Sequence, residues 1–306
     1  SWTDTTEPFE STAFQQDYQQ VWFTIRSMIG NKLRIVPSIN WFRSHSSSID
    51  FEKNNYFVPR IVNEWATSPK SSLFVSYGYG VRPPNIRNGL LSITQSAYQD
   101  LAVSNLNAAT ITQNSEVGWK IEQEHWNAQL AGFLTIVPRE IIFDHVAGTS
   151  IESEGTQREG IEFNTQMHID DWMFFTSINW VHAHFLNSAE PIPLVPKWNN
   201  QLKISKQMGY IHIGSLALFR SPKALGFGAT GKSYFRQDVS IQYQPTFAKF
   251  GTIQIQLDVE NIWNQTNYAG EYWYASRWFD DVSTLSSVHI SPDLPRMIRL
   301  NISTQW

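Results

Sequence analysis

The chain is organised by a two-residue rhythm. From Arg296 to the last residue, Ile298, Leu300, Ile302, Thr304 and Trp306 share one face of an extended strand, and Arg299, Asn301, Ser303 and Gln305 share the other. Just upstream, Ile253, Ile255, Leu257 and Val259 alternate with Gln254, Gln256, Asp258 and Glu260. Successive side chains of a strand point to opposite faces, so each segment predicts a sheet with one apolar and one polar surface. A soluble sandwich and a membrane barrel both satisfy that pattern. They differ in what covers the apolar face, and strand length and composition bear on that.

The rhythm recurs along the chain. Thr112 to Glu122 sets Gln113, Ser115, Val117, Trp119 and Ile121 outward against Thr112, Asn114, Glu116, Gly118, Lys120 and Glu122. In Trp172 to His182 the outward set is Trp172, Phe174, Ile178 and Trp180, with Ser177 and Asn179 opposite. Leu33 to Trp41 behaves likewise, but Tyr210 to Phe219 shows no clear alternation and its faces stay unassigned. Short turns are predicted at Gly30-Asn31, Ser68-Pro69-Lys70, Glu124-His125, Asp170-Asp171, Met208-Gly209 and Thr246-Phe247. Between them lie long polar connections near Ser44 to Asn54, Pro83 to Ala108, Asp144 to Thr156, Asn187 to Lys197, Ser221 to Gly231 and Asn264 to Pro295. Tight turns alternating with long loops are the arrangement of an outer-membrane barrel, with turns at the periplasmic rim and loops outside.

Counting the runs gives about 13 strands, each near or above the roughly 9 to 11 residues that cross a bilayer at a tilt. With an odd number, the first and last strands would run parallel. The expected fold is therefore all-β, an antiparallel transmembrane β-barrel of which this chain supplies about 13 strands and further strands complete the wall.

Composition narrows the choice. Aromatic residues make up 14% of the chain, with 13 Trp, 11 Tyr and 19 Phe, as suits two aromatic girdles edging a lipid-facing band. Charged residues are only 16%, which is low for a soluble enzyme. Mean hydropathy is -0.31, and no run approaches the roughly 18 apolar residues of a spanning helix. There is no cysteine, so disulfide scaffolds and thiolate metal sites are excluded. A net charge of -4 without a basic cluster argues against a nucleic-acid partner. The competing reading is a soluble or secreted β-rich carbohydrate-binding or hydrolase domain, which would expose its aromatics in one patch. The barrel requires an apolar band on every strand. A passive porin is a third possibility.

Five segments, in order, resemble the barrel of TonB-dependent outer-membrane receptors. Ser76-Tyr77-Gly78-Tyr79-Gly80-Val81-Arg82-Pro83-Pro84 is similar to the family's strand that ends in Arg-Pro before a long loop, with Val81 in place of an aromatic. Ser115-Glu116-Val117-Gly118-Trp119-Lys120 resembles the returning strand, whose Glu points into the lumen. Arg158-Glu159-Gly160-Ile161-Glu162 resembles the next, and Asp258-Val259-Glu260-Asn261-Ile262-Trp263-Asn264 with Tyr268 the penultimate one. Trp306 stands where Phe is usual. The likeness is to the C-terminal part of a barrel of about 22 strands. The N-terminal plug, the early strands, the energy-coupling box and a signal peptide find no counterpart, so a fragment or subunit is expected over residues 1–306.

The resemblance implies a ligand-gated importer in the bacterial outer membrane, not an enzyme. Its ligand would be a siderophore, a cobalamin or an oligosaccharide. Its partners would be membrane lipid, the plug segment and, through that segment, the TonB energy-coupling complex. Tyr268, Tyr272, Trp273, Tyr274, Trp278 and Phe279 in the last long connection form an expected ligand grip by stacking, or else pack the loop. Arg82, Glu116, Lys120, Glu162 and Arg299 are expected in the lumen, guiding a charged ligand, contacting the plug, or pairing within the wall. His182 and His184 share a strand face that points outward. Asp144-His145 and Asp280-Asp281 lie in loops, where carboxylates are mostly solvated. No metal site and no cofactor are assigned. The sequence lacks a phosphate-cradling Gly-rich loop, a G-x-S-x-G elbow and an H-E-x-x-H pair, so enzymatic chemistry has no starting point.

Overall fold

A computed structural model describes residues 16–46, 55–83, 109–144, 149–247, 251–276 and 285–305. Fifteen strands form one antiparallel sheet. In chain order it begins with β1 (Gln16–Thr24), β2 (Ser27–Ile29), β3 (Leu33–Ser46), β4 (Asn55–Ser68), β5 (Ser71–Arg82), β6 (Thr110–Glu122) and β7 (Trp126–Val137). The hairpin of β8 (Glu140–Asp144) and β9 (Thr149–Ser153) stands apart, and the sheet resumes with β10 (Thr156–Ile169), β11 (Trp172–Phe185), β12 (Trp198–Met208) and β13 (Ile211–Arg220). It ends with β14 (Tyr234–Tyr243), β15 (Thr246–Phe247), β16 (Gly251–Glu260) and β19 (Met297–Gln305), the separate hairpin β17 (Tyr268–Ser276) and β18 (Leu285–Pro292) intervening.

Two of these strands are continuations. β2 follows β1 along the same edge of β3, and β15 follows β14 along β16, which leaves thirteen wall strands in a simple up-and-down meander. Both interruptions fall at a proline. Pro37 on β3 and Pro245 after β14 cannot donate to a ladder, and the pairing resumes beyond them. The predicted turn at Thr246-Phe247 is thus corrected: Thr246 pairs with Thr252 and Phe247 with Gly251. Pro245 therefore marks an interrupted strand. The connections 144–156 and 264–295, read as loops, each carry a hairpin.

The wall is polar inside and apolar outside. Every wall strand carries at least one exposed large apolar side chain, among them Phe57, Val75, Val117, Leu130, Ile161, Ile178, Leu202, Ile241 and Leu300. A soluble sandwich buries such a set, whereas lipid covers it here, as the barrel reading requires. Trp172 stands opposite Lys206, whose ammonium lies 4.8 Å from the ring centre, and eight residues along, Trp180 faces Trp198 across the same ladder. These positions edge the apolar band. The strand left unassigned is resolved as well. His212, Gly214 and Leu216 of β13 line an inner recess, while Ile211 and Phe219 are exposed on the outside.

Inside, bulky rings lie across glycines. A Cβ on Gly118 would meet the Phe74 ring at 2.5 Å, and one on Gly160 would meet Phe133 at 2.7 Å. Glycine at those two positions lets a neighbouring ring cover the bare backbone, which fixes the relation of adjacent strands. A small apolar cluster of Phe42, Tyr56 and Ala109 closes the inner face beside β3 and β4.

Candidate functional site

The inward residues gather into separate groups. The even-numbered side chains of β4, β5, β6 and β10, with the odd-numbered ones of β7, converge on a recess of about 540 Å³. Arg60, Ser76, Asn114, Glu116, Thr135 and Glu162 line it, and Gly78 and Gly80 leave it open. Ser76 Oγ reaches Glu116 at 3.5 Å, and Thr135 Oγ donates to Asn114 at 2.9 Å. Two carboxylates and one guanidinium thus share a polar wall.

A second recess, of about 450 Å³, lies under β12, β13, β14, β16 and β19, and it is ion-paired. Arg236 donates from Nε to Asp238 at 2.8 Å and from Nη2 to Glu260 at 2.7 Å. Arg299 donates to the other Glu260 oxygen at 2.8 Å. Gln256 donates to Asp258 at 2.9 Å. Charge-assisted bonds of this kind are the stronger ones, and they tie three neighbouring strands together on the inner face.

The third group is at the extracellular end. Asn261, fully buried with φ at 50°, receives Gln265 N–H at 3.0 Å and donates to the carbonyls of Gln265 and Leu294 at 2.9 and 3.3 Å. Asn tolerates this left-handed backbone, and its amide closes the base of the long connection. Asn267 brackets Phe235 through both backbone groups, at 3.2 and 2.7 Å. The β17–β18 hairpin is thereby held over β14. Buried Glu271 accepts Lys232 N–H at 2.9 Å and faces Lys223 Nζ at 3.4 Å. Lys232 Nζ lies 5.0 Å above the Tyr268 ring and 3.3 Å from its hydroxyl, and Arg220 lies 5.0 Å above Tyr234. These residues line a recess of about 250 Å³. Beside it, Asp293 accepts the Tyr234 hydroxyl and Leu294 N–H, each at 2.8 Å. Burial pushes the Asp293 carboxyl up, but those two bonds and the charges of Arg236 and Arg220 outweigh it and hold the group below the ordinary carboxylate range.

The residues expected from sequence are therefore dispersed. Glu116 and Glu162 share the first recess and Arg299 belongs to the second. Lys120 covers the Phe74 ring at 4.8 Å, and Arg82 bonds Thr110 at 3.1 Å. Of the aromatic set, Tyr268 lines the outer recess, Tyr272 is exposed on β17 against Gly270, and Trp273 is half-buried. Tyr274 lies on β17, while Trp278, Phe279, His145 and Asp280-Asp281 fall outside the described residues. Reading the sequence one strand at a time missed Arg236, Lys232, Glu271 and Arg220, because their partners come from other strands. It also paired His182 only with His184, whereas cross-strand register adds Glu159.

A family model for the β-barrel of TonB-dependent receptors matches residues 2–262. No curated protein matches the chain. Among solved structures, the ferric-catecholate import receptor Fiu from E. coli superposes with a TM-score of 0.69 at 16% identity, over 94% of this chain and 44% of that one. The siderophore receptor PiuA from Acinetobacter baumannii gives 0.67 at 14%, over 94% and 43%. The ferric yersiniabactin uptake receptor FyuA from Yersinia pestis gives 0.67 at 13%, over 94% and 45%. Such identities establish a shared fold, and the chain spans less than half the length of these receptors. Its thirteen-strand meander, lipid-facing outside and charged within, accords with the family match: the chain belongs to the TonB-dependent receptors, as part of their outer-membrane β-barrel.

Proposed function

We propose that this chain is part of the wall of a ligand-gated outer-membrane importer that captures a scarce anionic, ring-bearing ligand of the ferric siderophore type. The observation that carries this reading is the pairing of cations with exposed-end aromatics, Lys232 over Tyr268 and Arg220 over Tyr234, in the extracellular recess. A cation held on a ring offers both charge and a stacking surface to an anionic aromatic chelate. Oligosaccharides would use the rings and leave the cations idle, and cobalamin would need a larger apolar platform. Similar receptors include a siderophore receptor and a ferric-catecholate import receptor, beside a copper transporter, and the first two accord with the same class. In this reading the plug and further strands come from the rest of the receptor, and the TonB complex acts through the plug. No bond of the ligand is broken.

The test uses the full-length receptor in a strain lacking its own siderophore receptors, with uptake of radiolabelled iron measured for a panel of chelates. Uptake of an anionic ferric chelate is expected. Lys232→Ala and Tyr268→Ala should each weaken it by about tenfold in half-saturation, the scale of one partly desolvated cation–π contact. Uptake of a neutral oligosaccharide or a cobalamin, with no ferric chelate transported, would overturn the ligand class.

A further inference from the structure

Glu159, His182 and His184 meet on the outer face of the β10–β11 hairpin. The ladder places Glu159 directly opposite His182, and His184 follows two residues later on the same face. One donor atom from each lies within 4.8 Å of the others. His182 Nδ1 and Glu159 Oε1 are 3.0 Å apart, and the two imidazole centres are 4.9 Å apart. Gln157 donates to Glu159 Oε2 at 2.6 Å, holding one carboxylate oxygen and turning the other toward the imidazoles. His184 Nδ1 is shielded from solvent and has no hydrogen-bond partner among the described residues.

Position makes this more than a salt bridge. The three side chains stand beyond the Trp180–Trp198 pair, on the extracellular side of the apolar band. Water and ions reach that layer, while the lipid beneath disfavours further protein charge. A buried ring nitrogen without a partner is costly and calls for an acceptor or donor that the protein does not supply. Neutral imidazoles with a carboxylate are, however, a common donor set for zinc and its late first-row neighbours.

We propose that Glu159, His182 and His184 form a three-ligand site for a divalent late first-row metal such as Zn2+, with Gln157 orienting the carboxylate. Zinc takes nitrogen and oxygen donors at about 2.0–2.2 Å, so the donors must draw together from their present spacing. Glu159 and His182 are partly exposed, so solvent and not packed protein borders the space through which they would close on His184. The fourth position stays open to water or to a headgroup phosphate. Bound metal would clip β10 to β11 at the base of the extracellular loops. This site is independent of the ligand proposed for the importer.

The experiment titrates Zn2+, and Co2+ as its spectroscopic stand-in, into the full-length receptor purified in detergent after chelator washing. One saturable equivalent is expected, with the visible absorption of tetrahedral Co2+. Gln157→Ala should weaken binding by about 10- to 100-fold, the usual effect of losing an orienting partner. Paired His182→Ala and His184→Ala changes should abolish it. His212→Ala, on the inner face, should change nothing. Heat-modifiable gel mobility checks that each variant is folded, and Glu159→Gln provides a milder ligand change if the double variant fails that check. Absence of saturable binding by the wild type, or binding of undiminished strength in a folded double or Glu159→Gln variant, would overturn the proposal.

Discussion

The face assignment makes its sharpest prediction on β16, where two adjacent residues should respond very unequally to the same substitution. Ile255 sits midway along the strand and points outward, level with Tyr243 on one side and Ile302 on the other. Its partner Ile302 is 65% exposed, so this stretch is covered by lipid. Gln256 points inward and donates to Asp258. Placing Lys at Ile255 puts an ammonium near the bilayer midplane, which costs about 2–4 kcal/mol in a barrel of this kind. Lys at Gln256 gives up the bond accepted from Gln254 and exchanges the amide bond to Asp258 for an ion pair with the same carboxylate, so its net cost should stay under about 1 kcal/mol. Denaturant unfolding of the full-length receptor in lipid vesicles, followed by tryptophan fluorescence, measures both. Equal destabilisation within about 0.5 kcal/mol would refute the inside–outside assignment of β16, as would a larger loss at Gln256.

Three further outcomes follow from the inner face and the outer hairpin. Gly160→Ala should cost about 1–3 kcal/mol by overpacking against Phe133, and trimming Phe133 to Leu should recover only part of that loss because a strand carbonyl also crowds the position; unfolding midpoints in the same vesicle assay check it. Arg236→Ala, which strips a half-buried cation from Asp238 and Glu260, should cost about 1.5–3 kcal/mol. Arg299→Ala, at a side chain 52% exposed, should cost under about 1 kcal/mol, and a reversed order of the two would contradict the network drawn here. Asp293 has a lowered pKa, so it stabilises the hairpin above the ordinary carboxylate value of about 3.9 and that contribution is lost as pH falls through the folded value. Hydrogen-exchange protection of β17–β18 should therefore drop below about pH 4 in the wild type and change little there in Asp293→Asn.

What could be read from the sequence is what lipid enforces. A band that must be apolar on one face of every strand writes a period of two, so the wall strands and most turns were legible in Ile253 to Glu260 or Thr112 to Glu122. The lumen imposes no such rule. Leu216 of β13 faces inward beside Asp238, while small Ser215 and Ala217 face outward, and the alternation vanishes although the strand is regular. Thr246-Phe247 reads as a turn although it continues the wall beyond Pro245, because a missing donor breaks a ladder whether or not the chain turns. In β17 the neighbouring rings of Tyr272 and Trp273 concealed the hairpin. The third histidine-site residue was recoverable. With the turn at Asp170-Asp171, Ile169 pairs with Trp172, and counting outward brings Glu159 to His182.

Dispersal of the charged residues also bears on how an importer of this kind would work. In the inner recesses, Arg60 faces Glu116 and Glu162, and Lys203, Arg236 and Arg299 face Asp238, Asp258 and Glu260, so cations are matched or slightly outnumbered. In the outer recess Arg220, Lys223 and Lys232 face Glu271, with Asp293 beside it, so cations outnumber carboxylates by one. Excess positive charge in these three recesses is thus confined to the extracellular end, on β13 and the connection to β14, where Asn261 and Asn267 fix the hairpin that packs against it. An anionic ligand would be drawn to that end and find no equal attraction further in, over distances longer than the roughly 8 Å screening length at physiological salt. Capture and passage are then separate problems for such a ligand. Under the proposed function, the first would fall to the outer recess of this chain, and the second would require work supplied from elsewhere in the receptor, as expected if the plug is pulled by an energised partner.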